Sequence, residues 1–267
     1  MDIIKFIQRN RWPNAAVKHL RMHSIFDAVV SRMPIRRRTA NGYQYLINSA
    51  AALVSANEMF HEGPYAAAIK LIAPRTFVDI GANVGFFPIL LADLTNSTDL
   101  KGLLIEANPS LIQPLAYHLK VNGLSSCKIV EGAATDQTDT EIDFYVNPSN
   151  IASSVSGDFN PVIPTGGRVL KIKVAAVDVA REWEAFANAP IDLIKIDIEG
   201  GELKFLCGHQ RLLSQTRAVV LEWHKWVCSF SEVEAILSRE NFLLHSILEE
   251  DSMAGIALFV RAAAGGR

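Results

Sequence analysis

The 267-residue chain carries 26 Lys and Arg against 28 Asp and Glu, a formal net charge of −2, and 49% of its residues are hydrophobic. That apolar content is enough to bury a sizeable core in one α/β domain with an appendage, and it excludes disorder and fibrous repeats. Three scattered cysteines, Cys127, Cys207 and Cys228, exclude a disulfide framework or a cysteine-rich zinc site and fit a reducing compartment.

No run approaches the roughly 20 apolar residues of a membrane span. The opening MDIIKFIQRNRW sets apolar residues ahead of charges and does not read as a signal peptide, so a cytoplasmic location is expected. Residues 1 to 40 hold nine Lys or Arg and two Asp, a net of +7, which leaves −9 on the other 227. This polarity predicts a basic arm ending near Pro34 and Arg36-Arg37-Arg38. Such arginines solvate a helical cap or pair with the acidic remainder; peripheral contact with an anionic surface is the less favoured reading. From Asn41 to about Lys70, apolar residues at helical spacing predict two helices broken at Gly63-Pro64. The expected division is therefore a helical extension with its basic arm over residues 1–70 and a main domain over 71–267.

Beyond Pro74, short β-branched runs alternate with amphipathic stretches. The runs are Thr76 to Ile80, Lys101 to Glu106, Cys127 to Glu131, Ile191 to Asp197 and Ala218 to Glu222. Alternation of this kind predicts a parallel sheet covered on both faces, with ligands at the carboxyl ends of its strands. Between Thr138 and Val179 it lapses: TEIDFYV and VLKIKVAAVDV read as strands around a polar segment, Asn147 to Arg168, whose length suggests a lid. FLLHSIL and GIALFVR, near the C-terminus, predict an antiparallel hairpin.

The run FVDIGANVGFF is a buried-looking strand entering a glycine turn and a helix. Asn83 stands where a dinucleotide fingerprint has its middle glycine, and no Lys-Ser/Thr pair follows, so nicotinamide cofactors and nucleotide hydrolysis are disfavoured. Asp79 at the strand end would repel a phosphate and attract an ammonium or sulfonium. About twenty residues after Gly85, Glu106 ends a second strand, where a carboxylate accepts hydrogen bonds from both ribose hydroxyls. Together these point to an adenosyl ligand with a positively charged tail. The plainer reading of the glycine turn is a strand-to-helix connection in which Asp79 caps the helix.

FVDIGANVGFF, IEANP, LIKIDIEGGELKFLCG and VVLEWH together resemble the FkbM family of S-adenosylmethionine-dependent methyltransferases over roughly residues 75 to 260. The resemblance implies a Rossmann-like class I methyltransferase fold, a seven-stranded, mostly parallel sheet closed by an antiparallel C-terminal hairpin strand. It further implies that Asp79, Gly81, Asn83 and Gly85 line the methionine portion of S-adenosylmethionine. Glu106 would hold the ribose with Asn108 beside it, and Glu131-Gly132-Ala133-Ala134 would border the adenine. The implied acceptor is a hydroxyl on a sugar, glycan or small secondary metabolite.

KIDIEGGE sets Asp197 and Glu199 at the sheet edge, and alternation along LEWH puts Glu222 and His224 on one face. Methyl transfer needs alignment, desolvation and an acceptor for the hydroxyl proton. Asp197 or His224 is expected in that role, with Glu199 and Glu222 on the substrate; Asp197 is also placed to stabilise a sulfonium. Lys195 is expected to pair with Asp197 or with a carboxylate across the sheet, and Glu202 to favour a helix start. The same donors could chelate a divalent ion with a substrate diol, but the motif lacks diagnostic metal spacing, and no metal is the expectation. In the lid segment, Ser153 and Ser154 either bind a polyhydroxylated acceptor or satisfy a surface turn. A nucleic-acid substrate is disfavoured because the domain bearing these motifs is acidic. An alternative to catalysis is a silent, cofactor-binding partner protein that docks through the basic arm.

Overall fold

The computed structural model describes residues 28–147, 153–155 and 169–263. The basic arm before residue 28 and most of the expected lid lie outside the described residues. The first elements are a two-stranded hairpin of β1 (Ile35–Arg38) and β2 (Gln44–Ile47), then helix α1 (Ala50–Asn57), a wide π turn (Glu58–Glu62) and α2 (Pro64–Ile72). The two helices expected here do form, broken at Gly63-Pro64, but a strand pair precedes them. Arg36, Arg37 and Arg38 lie in a strand, and the helix expected from Asn41 starts at Ala50, where Ser49 caps it by accepting from Ala52 N.

The hairpin forms because distant side chains finish its hydrogen bonding. Gln44 N donates to Asn122 Oδ1 at 2.6 Å, and Asn122 Nδ2 donates back to the Gln44 carbonyl. Leu46 N donates to His118 Nε2 at 2.8 Å, while the other ring nitrogen of His118 meets the Val84 carbonyl at 2.6 Å.

The main sheet comprises β3 (Thr76–Ile80), β4 (Lys101–Glu106), β5 (Cys127–Glu131), β8 (Ile191–Ile196), β9 (Thr216–His224), β10 (Phe242–Glu250) and β11 (Ala254–Arg261). Its order is β10-β11-β9-β8-β3-β4-β5, and β11 runs antiparallel to both its neighbours. The order therefore reverses at β3 and β8, the pair whose carboxyl ends open into a crevice. The helices α3 (Phe86–Thr95), α4 (Pro109–Val121), α5 (Val179–Phe186), α6 (Glu202–Gly208), α7 (Gln210–Ser214) and α8 (Phe230–Arg239) complete the two covering layers. The strands β6 (Glu141–Val146) and β7 (Leu170–Ala175) pair with each other as a separate ribbon, joined to β5 by a bridge between Ala133 and Ala176.

Alternate residues of each central strand feed opposite cores, as the two-residue period of a strand requires. Phe77, Leu104, Leu193 and Val220 pack beneath α2 and α3 with Tyr45, Ile69 and Phe87; Val78, Ile105, Ile194 and Val219 pack against Trp183, Phe205 and Leu237. On the first of these faces the apolar series stops near the carboxyl edge. Asp79, Lys195, Glu222 and His224 occupy positions in step with Phe77, Leu193 and Val220. Asp79 and Lys195 are direct parallel neighbours. No helix among the described residues is long and apolar enough to cross a membrane.

Candidate functional site

The turn after β3 is built for close approach. Gly81 has φ +79°, and a Cβ there would fall 1.8 Å from the Asp197 carbonyl oxygen, so the loops after β3 and β8 touch through bare backbone. Asn83 adopts φ +50°, a left-handed conformation that Asn tolerates. Gly85 opens α3 with no side-chain cap, which leaves that helix end to backbone groups.

Glu106 closes the other side. Asn83 N donates to its Oε2 and Asn108 N to its Oε1, each at 2.7 Å. The carboxylate is thereby fixed, with further lone pairs to offer a diol. Burial pushes Glu106 up to about 7, against the pull of those two N–H groups. Asn108 is buried and caps α4, accepting from Ser110 N at 3.1 Å. At the end of β5, Gly132 has φ +148°, and a Cβ would meet Val177 Cγ2 at 2.6 Å. Ile80, Gly81, Asn83, Glu106, Gly132, Ala133, Phe144, Ser153, Asp197 and Glu199 all line one cleft. Ser153 Oγ accepts from Asn147 N, whereas Ser154 is buried in a two-hydrogen-bond bridge to Tyr145 and does not reach the cleft.

Asp79 is not at that surface. It is wholly buried, 3.3 Å from Lys195 Nζ, which also lies 3.4 Å from Asp197 Oδ2 and donates to the Gly81 carbonyl. Burial pushes Asp79 up to about 6 against the attraction of Lys195. For Lys195, burial acts downward, but Asp79 and Asp197 outweigh it and hold the ammonium above its ordinary range. Asp79 lines neither this cleft nor the start of α3 as the cap of the plainer reading; it pairs with Lys195 beneath the loops.

A second cavity adjoins the first. Gly81, Asn83 and Asp197 line both, and the second adds Glu58, Tyr65, Lys195, Glu222, Glu249 and Asp251. Glu222 accepts from Tyr65 Oη at 3.2 Å, and burial together with Asp197 raises its carboxyl well above the usual range.

His224 joins the two edges. Its Nδ1 lies 2.9 Å from Glu202 Oε1, its Nε2 3.3 Å from Glu199 Oε2 and 3.9 Å from Glu222 Oε1. Burial works against the imidazolium, yet the bonds to Glu199 and Glu202 prevail and lift the ring well above its ordinary value. Glu202 does begin a helix, as expected, but it is fully buried and acts as the partner of His224 and of Gly200 N.

The sequence model of the methyltransferase FkbM domain matches residues 79–244, well over half of the chain. The chain belongs to the FkbM methyltransferase family. The residues around Glu106 fit the S-adenosylmethionine that the resemblance implies: a pinned carboxylate for a diol, flanked by two glycines that leave no space for a Cβ. Among solved structures, this FkbM domain is similar to the methyltransferase FkbM from Methylobacillus flagellatus KT, with 20% identity and a TM-score of 0.45 over 69% of this chain and 43% of that one. It spans less than half the length of that protein. It is also similar to the precorrin-6y C5,15-methyltransferase from Geobacter metallireducens GS-15, with 12% identity, 75% and 88% of the two chains covered and a TM-score of 0.44. A SAM-dependent methyltransferase from Aquifex aeolicus has 14% identity, coverage of 78% and 93% and a TM-score of 0.44. No curated protein matches the chain.

Residues that the sequence reading passed over are Tyr65, Glu58, Glu249 and Asp251, which the second cavity recruits from the extension and the C-terminal hairpin. Their signal is tertiary: 157 positions separate Tyr65 from its partner Glu222.

Proposed function

We propose that this FkbM domain transfers a methyl group to a hydroxyl oxygen of a sugar, glycan or small secondary metabolite. The observation that carries the reading is the shared wall of the two cavities at Gly81, Asn83 and Asp197. One cavity suits an adenosyl group at Glu106, and the other presents hydrogen-bond acceptors to a hydroxylated molecule.

Bound S-adenosylmethionine supplies an electrophilic methyl carbon on a sulfonium. The chain's own residues must then align the acceptor and take its proton. Asp197 is placed for that proton, because it faces both cavities while Lys195 Nζ, 3.4 Å away, steadies it. His224 is less suited to accept it in the unliganded protein, since Glu199 and Glu202 favour the already protonated ring. With the cofactor bound, the Asp197 carboxylate would take the proton that the acceptor hydroxyl gives up. Glu222 and Tyr65 orient the acceptor from the opposite wall.

The test is to incubate the protein with methyl-labelled S-adenosylmethionine and fractionated host extracts. Label in an alkali-stable methyl ether of a small molecule or glycan supports the reading. Label recovered only in amines, esters or nucleic acid overturns it.

A further inference from the structure

The cluster at the carboxyl ends of β8 and β9 contains more than proton transfer requires. We infer that Asp197, Glu199 and His224 form a binding site for one divalent cation of the manganese type. One ligand atom from each residue lies within 4.8 Å of the others. Donors side by side on a six-coordinate ion with bonds of about 2.1–2.2 Å are about 3 Å apart, and opposed donors about 4.3 Å. The 3.3 Å between His224 Nε2 and Glu199 Oε2 falls within that span.

A second observation, independent of these distances, concerns the back of the imidazole. Glu202 is wholly buried and holds His224 Nδ1 at 2.9 Å, while the same oxygen accepts from Gly200 N at 3.0 Å. A carboxylate fixed behind a histidine in this way selects the Nδ1–H tautomer and turns the Nε2 lone pair toward Asp197 and Glu199. This arrangement orients metal-bound histidines generally. The charge balance agrees. Among the described residues Asp197 ion-pairs with Lys195, while no Lys or Arg ion-pairs with Glu199, whose cationic neighbour is the His224 imidazole. A divalent ion would add positive charge beside Glu199. Two carboxylates and an imidazole, with no thiolate, suit Mn2+ better than the all-oxygen preferences of Ca2+ and Mg2+.

The existence of this site does not depend on methyl transfer; its role does. Under the proposed function, an ion at Asp197 would have open positions facing the second cavity, where it would hold the acceptor oxygen and ease its deprotonation.

The experiment adds Mn2+ to the full chain and follows the free-ion signal by electron paramagnetic resonance, with S-adenosylhomocysteine binding measured in parallel by calorimetry. One Mn2+ should bind per chain with a Kd below about 100 µM. Glu199→Gln and His224→Gln should each weaken it at least about tenfold while thermal melting stays cooperative. Glu106→Gln should leave Mn2+ binding unchanged and weaken S-adenosylhomocysteine. Absent saturable Mn2+ binding, or equal affinity in wild type, Glu199→Gln and His224→Gln, overturns the site. Should the variants fail to fold, the native chain decides: substoichiometric Mn2+ must broaden the His224 ring resonances, and sharp resonances overturn the site. Loss of S-adenosylhomocysteine binding with Mn2+ binding intact would count against the methyltransferase reading alone.

Discussion

The two sides of the crevice recognise their ligands by different means. Around β3 and β4 the work is done by backbone: a glycine with no space for a Cβ, an Asn at positive φ, and two N–H groups that lock a single carboxylate. Around β8 and β9 it is done by crowded ionisable side chains, with Lys195 and His224 set among Asp79, Asp197, Glu199, Glu202 and Glu222. A rigid backbone surface suits a ligand that never changes, such as a cofactor. A cluster whose charges can shift suits chemistry in which a proton leaves. The seam between these two modes is the contact of Gly81 with Asp197.

Substitution at that seam should have the largest effect. Gly81→Ala forces a Cβ into the Asp197 carbonyl, and we expect S-adenosylhomocysteine affinity to fall by about 10³-fold, or about 4 kcal/mol, by calorimetry. An affinity near wild type would show that the two loops are free to part. Asp197→Asn should separate the sides cleanly: turnover of an identified acceptor falls about 10²–10⁴-fold while S-adenosylhomocysteine still binds. Equal loss of both would mean that Asp197 belongs to the cofactor side. Glu106→Ala should do the reverse, weakening S-adenosylhomocysteine by about 10–100-fold through the lost charged hydrogen bonds.

The smallest effect is with pH. With Glu106 raised to about 7, its ionised fraction climbs from about a tenth at pH 6 to about nine-tenths at pH 8. Cofactor affinity should therefore rise up to about tenfold over that interval and be flat in Glu106→Gln. Stability of the unliganded fold runs the other way. A folded pKa above the unfolded value of 4.5 means that the folded state binds the proton more tightly. This contribution is complete below about pH 4.5 and is lost as pH rises through about 7. Thermal melts of wild type against Glu106→Gln measure it.

The central strands of the main sheet were legible because they are buried on both faces and read as continuous apolar runs. TFVDI and LIKI announce themselves without any partner in view. The place of Glu106 at a strand end beside the cleft was legible for a related reason, since its distance along the chain from the glycine turn follows from one strand-helix-strand unit. The β1–β2 hairpin was not. Its IRRR strand has no alternating apolar face, and its order comes from His118 and Asn122, more than seventy residues on. Asp79 misled for a subtler reason: a carboxylate one residue before a strand end lies beneath the loop, where Lys195 of the adjacent strand meets it. The partner of His224 was hidden too, because EGGE reads as a helix start and only folding turns Glu202 inward.

The placement of α4 has a practical consequence. Its first residue follows Asn108, whose N–H grips Glu106, and its last turns carry His118 and Asn122, which grip β2. This helix is a strut tying the cleft at Glu106 to the very segment that someone trimming the protein would cut away first. Truncations that start after Gln44 would release one end of the strut, and their weakened cofactor binding would be mistaken for a defect at the cleft itself.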